Sequence, residues 1–404
     1  MKVIYQTLII GDYLLKRILN KPYSIPVELV KKSGFYTIKL FQWIINYHIS
    51  TLEKIPDNLQ TPLSLLSDND NHPEEYTKEI IKKELPSLKI EESPFSSGSI
   101  AQCYYTTDKK YVIKIRHPIT TQDYQLPKLL IKIIINYKLI HFPFDLEECF
   151  KKFENQLDFN EEAHHLHSYY RRYFDSKHIQ IPRYIIHTKN ILVMENVPSI
   201  PLYKCNLSQY KIQKILIKLL MFFRNSIMYH NLIHCDLHQS NWGLNGNKLV
   251  IYDFGFCTYS TPTLKKIFHL KEDNKNDELL KEILKCCTNN SEKLFNDIKK
   301  EAYEKNLLGD ILVLQFDKLM PLVFYHLKKH NSIMDTSLFL SLFSYSLIEQ
   351  LMIKYSIMET QENATHEQLY ELKLSFLTFL EECNKGFTRL KKYEEQTLEK
   401  MDYF

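Results

Sequence analysis

The spacing of apolar residues divides the chain into a helical start, a short stretch of strands and a long helical remainder. Residues 1–60 carry apolar side chains at helical spacing, with Ile38, Phe41, Ile44 and Ile45 on one face. A polar break over 66–72 precedes a charged helix that runs through Lys83 and stops at Pro86. Over 88–116 the pattern changes to strands, with β-branched residues flanking Ser96-Ser97-Gly98-Ser99 and then Tyr111-Val112-Ile113-Lys114-Ile115. Helices are predicted over 128–174 and strands over 179–186 and 191–195. From Lys211 onward Ile212, Ile215, Leu216, Leu219, Phe223 and Ile227 recur every three or four residues, a wide core-facing stripe. Residues 261–404 read as almost entirely helical, with polar joints at 273–277 and 360–365. Small mixed lobe, hinge and helical lobe therefore follow one another, an α+β fold.

Composition narrows the partners. At 404 residues the chain can bury one large core or two lobes. A net charge of +4, with acidic and basic residues interleaved, gives nucleic acid no particular surface to bind. The eight cysteines include no Cys-x-x-Cys, and Cys286 and Cys287 are adjacent, so reduced thiols in an intracellular protein are expected. The apolar run at 129–140 is broken by Lys132 and Lys138, and no uninterrupted run is long enough to span a bilayer. Asp12 and Lys16-Arg17 interrupt the N-terminal apolar stretch, which excludes a secretory signal there. That stretch and residues 129–144 are apolar enough to touch a membrane surface, although burial against the lobes accounts for most of them. Cytoplasmic or peripheral membrane placement follows as an expectation.

The chemistry is concentrated between His234 and Gly255. His234-Cys235-Asp236, then Asn241, then Asp253-Phe254-Gly255 is the layout of protein-kinase-like folds, which are bilobal. In that layout Asp236 orients the attacking hydroxyl, while Asn241 and Asp253 hold Mg²⁺ against nucleotide phosphates. Lys114, at the end of a strand, is the lysine that would meet the phosphates, and a strand-end lysine in water is the plain alternative. Ser97, Gly98 and Ser99, sixteen residues or so upstream, are small enough for backbone N–H groups to approach phosphate oxygens. Glu162, in a helix, would pair with Lys114, and Glu161 is its rival. Met194, Glu195 and Val197 would form the hinge against an adenine edge. His234, His238 and Asp236 could instead form a metal cluster, whereas a histidine in such a loop more often supports the backbone. Trp242 reads as core packing.

Together these residues resemble the UbiB family of atypical kinases, the aarF-domain proteins. The resemblance runs over 32–257 and rests on Ser99-Ile100-Ala101-Gln102, Lys114-Ile115-Arg116-His117-Pro118, Asp158 through Glu162-Ala163, and Asp236-Leu237-His238-Gln239-Ser240-Asn241. The family's Lys-x-Gly-Gln helix, which folds over its active site, looks like Lys39-Leu40-Phe41-Gln42 here, with Phe41 in place of glycine. Gln156 stands where the family usually has glutamate, Gly98 where it has alanine, and Leu237 and Ser240 replace its proline and glycine. The resemblance implies binding of ATP or ADP with Mg²⁺, ATPase or kinase-like activity, and a link to isoprenoid-quinone precursors or other membrane lipids. It also implies three segments: a helical extension carrying Lys39 and Gln42 over 1–87, a small lobe over 88–197 and a helical lobe over 198–404. Two further readings stay open, a small-molecule kinase of the choline or aminoglycoside type and a nucleotide-gated lipid or protein binding module. Oligomeric state is not legible.

Overall fold

Strand alternation decides the small lobe. A computed structural model describes residues 2–19, 27–34, 37–38, 72–98, 100–119, 122–136, 142–272, 275–305, 307 and 316–355. Two helices, α1 (Lys2–Ile18) and α2 (Val27–Lys32), come first, and α3 (Glu74–Glu84) follows. Glu74 and Glu75 in the first turn of α3 and Lys82 and Lys83 in its last both complement the helix dipole. A five-stranded sheet is then built from β1 (Ser96–Ser97), β2 (Ala101–Tyr105), β3 (Tyr111–Arg116), β5 (Tyr184–His187) and β6 (Ile191–Glu195) in the order β1-β2-β3-β6-β5. Ile113 and Ile115 on β3 pack with Ile81 of α3, Tyr104, Ile191 and Val193. Successive side chains on a strand face opposite ways, so Lys114 is directed to the other side of the sheet. There it lies in register with Cys103 on β2 and Leu192 on β6.

Three helices follow β3: α4 (Gln122–Asn136), α5 (Leu146–Asn155) and α6 (Phe159–Tyr173). Asp145 caps α5 by accepting from the Glu148 amide at 2.9 Å, and Asp158 caps α6 by accepting from the Asn160 amide at 3.0 Å. The single strand expected over 179–186 is two. Pro182 has no N–H to donate and interrupts the run. Ile179 and Gln180 form β4, which pairs in parallel with Leu249 and Val250 in the other lobe, while β5 joins the first sheet.

The helical lobe opens with α7 (Gln209–Asn225), whose Leu216, Leu219, Phe222 and Phe223 are fully buried. Ile212 and Ile215 of the expected stripe are only half-buried. One π turn (Ser226–His230) leads into β7 (Leu232–His234), followed by β8 (Trp242–Asn245), β9 (Lys248–Ile251) and β10 (Cys257–Tyr259). β4, β9 and β8 make one sheet, β10 and β7 another. The described remainder is helical: α8 (Pro262–Glu272), α9 (Asn276–Lys285), α10 (Glu292–Glu304), α11 (Phe316–Lys329) and α12 (Thr336–Lys354). By length and composition α12 could cross a membrane, yet 67% of its apolar window is buried inside the fold. Inspection for an unbroken apolar run passes over it because Ser337, Ser341, Ser344 and Ser346 punctuate it. All seven described cysteines are free thiols.

Candidate active site

Lys114 is the centre of the site. Its Nζ donates to Glu162 Oε1 at 2.6 Å and to Asp253 Oδ1 at 3.2 Å, with 11% of the lysine side chain and 4% of the glutamate exposed. Three residues separated by up to 139 positions in sequence thus meet at one ammonium. The Asp158 cap starts α6 one turn before Glu162, which sets the glutamate on the buried face of that helix. Glu161, its sequence rival, lies on the exposed side. Burial alone would drive the Lys114 ammonium toward neutrality, but the carboxylates of Asp253 and Glu162 outweigh it and the pKa moves upward, so the lysine stays charged. Burial pushes the Glu162 carboxyl up, opposed by Lys114.

Backbone geometry places the second aspartate. Asp253 has φ 58°, in the left-handed region that a side chain other than glycine's rarely adopts. The turn is held from both sides. His234 Nε2 donates to the Tyr252 carbonyl at 2.9 Å, and the Tyr252 amide donates to the Asn241 carbonyl at 2.8 Å. Phe254 is buried, 4.9 Å from the Tyr169 ring and 5.3 Å from the His234 ring, and its carbonyl accepts from His165 Nδ1 at 3.1 Å. Gly255 must be small: a Cβ there would sit 3.3 Å from Glu162 Oε2 and 3.4 Å from Asp253 Oδ1.

The loop between β7 and β8 carries Asp236 and Asn241. Asn241 Nδ2 donates to the Asp236 carbonyl at 2.8 Å, so its Oδ1 is the atom suited to a cation. His234 is fully buried, and its tautomer follows from its partners. Nε2 donates to a carbonyl while Nδ1 accepts from the Asp236 amide at 3.2 Å, and burial lowers its pKa. Both nitrogens serve the backbone, which sets the metal-cluster alternative for His234 aside. His238 Nε2 lies 3.6 Å from Asp236 Oδ2.

The small-residue loop works differently from expectation. The Gly98 amide closes the turn by donating to the Ala101 carbonyl at 2.9 Å, so it is not directed at a phosphate. Ser97 Oγ, in contrast, is buried with no partner. The Gly98 carbonyl accepts from His117 Nε2 at 2.9 Å. His117 Nδ1 then meets His72 Nδ1 at 2.8 Å, and the connection continues from His72 Nε2 to Thr77 at 2.8 Å and from Thr77 to Tyr104 at 3.0 Å. Tyr104 ends it by donating to Gln102 Oε1 at 2.8 Å. Burial, then His117, lowers the His72 pKa to about 4. Sequence reasoning used His117 only as part of a motif and missed His72 altogether, since no local pattern joins residues 45 positions apart.

In the segment expected to form the hinge, Met194 and Val197 are buried and Glu195 is half-buried. The Glu195 amide donates to the Arg183 carbonyl at 2.8 Å, and the Val197 carbonyl accepts from the Tyr252 hydroxyl at 2.8 Å. Ser99, Lys39, Phe41 and Gln42 lie outside the described residues. Gln156 is buried at the C-terminal end of α5, and its Nε2 has no partner.

Residues 68–272, just over half the chain, match the ABC1 atypical kinase-like domain. The chain belongs to that family. The ABC1 domain is of the UbiB/aarF type, in agreement with the motifs. No curated protein matches the chain in sequence. Among solved structures, the Rv3197–erythromycin complex from Mycobacterium tuberculosis is 16% identical with a TM-score of 0.50, covering 80% of this chain and 94% of that chain. The streptomycin-ATP-APH(2'')-IIa ternary complex is 12% identical with a TM-score of 0.25, covering 63% of this chain and 99% of that one. That second overlap carries no argument. The fold is kinase-like and bilobal, with the ABC1 domain containing every described residue of the candidate site.

Proposed function

We propose that this ABC1 protein binds ATP or ADP with Mg²⁺ between its lobes and transfers or hydrolyses the γ-phosphate. The observation that carries the reading is the Lys114 ammonium shared between Glu162 and Asp253. In kinases this pairing and a metal-binding Asp must both be in place for transfer. The donor set also fits the cation, since a carboxylate and an amide oxygen, from Asp253 and Asn241, suit hard Mg²⁺. When bound, Mg²⁺ would neutralise charge developing on the phosphates during transfer.

The chain's own groups supply the rest. Lys114, held cationic, offers its ammonium to the α- and β-phosphates, and Glu162 fixes its direction. Ser97 Oγ, buried and unpartnered, is a donor for a phosphate oxygen. Asp236 receives or orients the acceptor hydroxyl. At the hinge, the Glu195 amide and the Val197 carbonyl are already engaged, so the Glu195 carbonyl and the Val197 amide are the groups for an adenine edge. Ser99, Met194, Lys39 and Gln42 complete the proposed nucleotide surroundings.

The resemblance to UbiB proteins favours an isoprenoid-quinone precursor or another membrane lipid as acceptor or effector. Phosphate release should be measured with Mg-ATP, with and without vesicles carrying a hydrophobic phenol, using Asp236→Asn as control. Turnover that vanishes in Asp236→Asn and rises with vesicles is expected. Mg-ADP binding without any turnover under either condition would reject the transferase and ATPase reading.

A further inference from the structure

The helical region after Tyr259 takes no part in the chemistry above, yet α10 and α11 bring together a set of ligating side chains. Asp297 and Glu301 stand four apart on α10, so both lie on one face of that helix. His326 and His330 stand four apart on α11 and its C-terminal edge. The two pairs meet across the helices. His330 Nε2 is 3.0 Å from Asp297 Oδ2, and His326 Nε2 is 2.8 Å from Glu301 Oε2. Asp297, His326 and His330 each offer one ligand atom, all within 4.8 Å of one another. His326 is 4% exposed, and its Nδ1 is buried without a partner. With Nε2 held by Glu301, Nδ1 is the nitrogen left to serve as a ligand.

We propose that Asp297, His326 and His330, with water as the fourth donor, form a zinc-class divalent-cation site that clips α10 to α11, and that Glu301 orients His326. Two imidazoles with one carboxylate suit a borderline metal rather than Mg²⁺ or Ca²⁺, which prefer all-oxygen shells. The charges balance as well, since Asp297 in the shell and Glu301 behind His326 neutralise a dication while the imidazoles ligate in the neutral form. Zinc holds such donors at about 2.0–2.2 Å in a tetrahedron. The three ligand atoms, within 4.8 Å of one another, need only draw together around such an ion. Lys329 Nζ, 3.5 Å from Asp297, and Lys305 Nζ, 2.6 Å from Glu301, are the present counter-charges. Both lysines are half-exposed and can withdraw into water when the metal enters. All these residues lie outside 68–272, the segment that matches the ABC1 domain.

The test uses the full chain, stripped with a chelator, desalted and titrated with zinc chloride against a chromogenic competitor. One zinc per chain is expected, with affinity falling at least about tenfold in Asp297→Asn and in His330→Asn. Circular dichroism and Mg-ADP binding should stay unchanged in both variants. Cobalt(II) on the wild-type chain should give the intense visible bands of tetrahedral nitrogen and oxygen ligation. That readout stands even where a variant fails to fold. A chain that binds no zinc, variants that bind it as well as wild type, or a cobalt spectrum showing octahedral or thiolate ligation would overturn the site.

Discussion

At the scale of single residues, charge inside the fold has the sharpest consequences. Removing Lys114 leaves Glu162, at 4% side-chain exposure, with a buried and uncompensated carboxylate. Lys114→Ala should cost about 3–5 kcal/mol in urea denaturation. Adding Glu162→Gln should recover part of that loss, because no charge is then stranded; a double variant no more stable than Lys114→Ala would contradict the pairing. His72 governs the acid limb. Its pKa falls from 6.5 unfolded to about 4 in the fold, so the folded state keeps it neutral. Stability from this group is full above pH 6.5 and is lost as the pH drops toward 4. His72→Gln should flatten the denaturation midpoint across that window while leaving it little changed at pH 8. The residues legible in sequence were those carrying a motif: Lys114, Glu162, Asp236, Asn241 and Asp253. His72 beside His117, and His326 beside Glu301, were not, because each depends on which distant helix or strand packs against it.

Elements show why some local expectations held and one did not. The amphipathic stripe of α7 and the β-branched run of β3 are strong periodic signals, and both elements stand where the sequence places them. The run at 179–186 failed because apolar character alone cannot say that Pro182 sends its two halves to different sheets. Sequence reading singles out Gly98 and passes over Gly243, whereas the structure puts the tighter constraint on Gly243. A Cβ at Gly98 meets only the Ala101 carbonyl oxygen, at 3.8 Å, an ordinary contact. Gly98→Ala, the residue usual in UbiB proteins, should be neutral or stabilise by about 0.4–1 kcal/mol. On β8, a Cβ at Gly243 collides with Ser199 Oγ and lies 3.2 Å from the Ile200 carbonyl oxygen. Gly243→Ala should destabilise by about 1–3 kcal/mol. Thermal melts of the two variants side by side decide the point.

Across the whole molecule, the order of small lobe, hinge and helical lobe was legible because each has its own periodicity. How the lobes close on one another was not, since no single segment encodes it. If Asp253 and Asn241 hold a metal between the lobes, a saturating nucleotide must stabilise the entire fold. Mg-ADP at 100 times its Kd should raise stability by about 2.7 kcal/mol. Asp253→Asn should lose most of that gain while keeping its own ligand-free stability near wild type, as thermal shift would show; an undiminished gain would remove Asp253 from the metal site. One long-range tie sets the boundary of the folding unit. Ser344 on α12 donates to the His234 carbonyl at 3.1 Å, 110 residues away. A protein cut after Glu272 would keep every candidate-site side chain described above, yet it would lose that brace and bare the apolar bed on which α12 rests. Expression of the segment that ends at Glu272 should therefore yield aggregates, and soluble preparations should begin only with fragments that extend past Lys354.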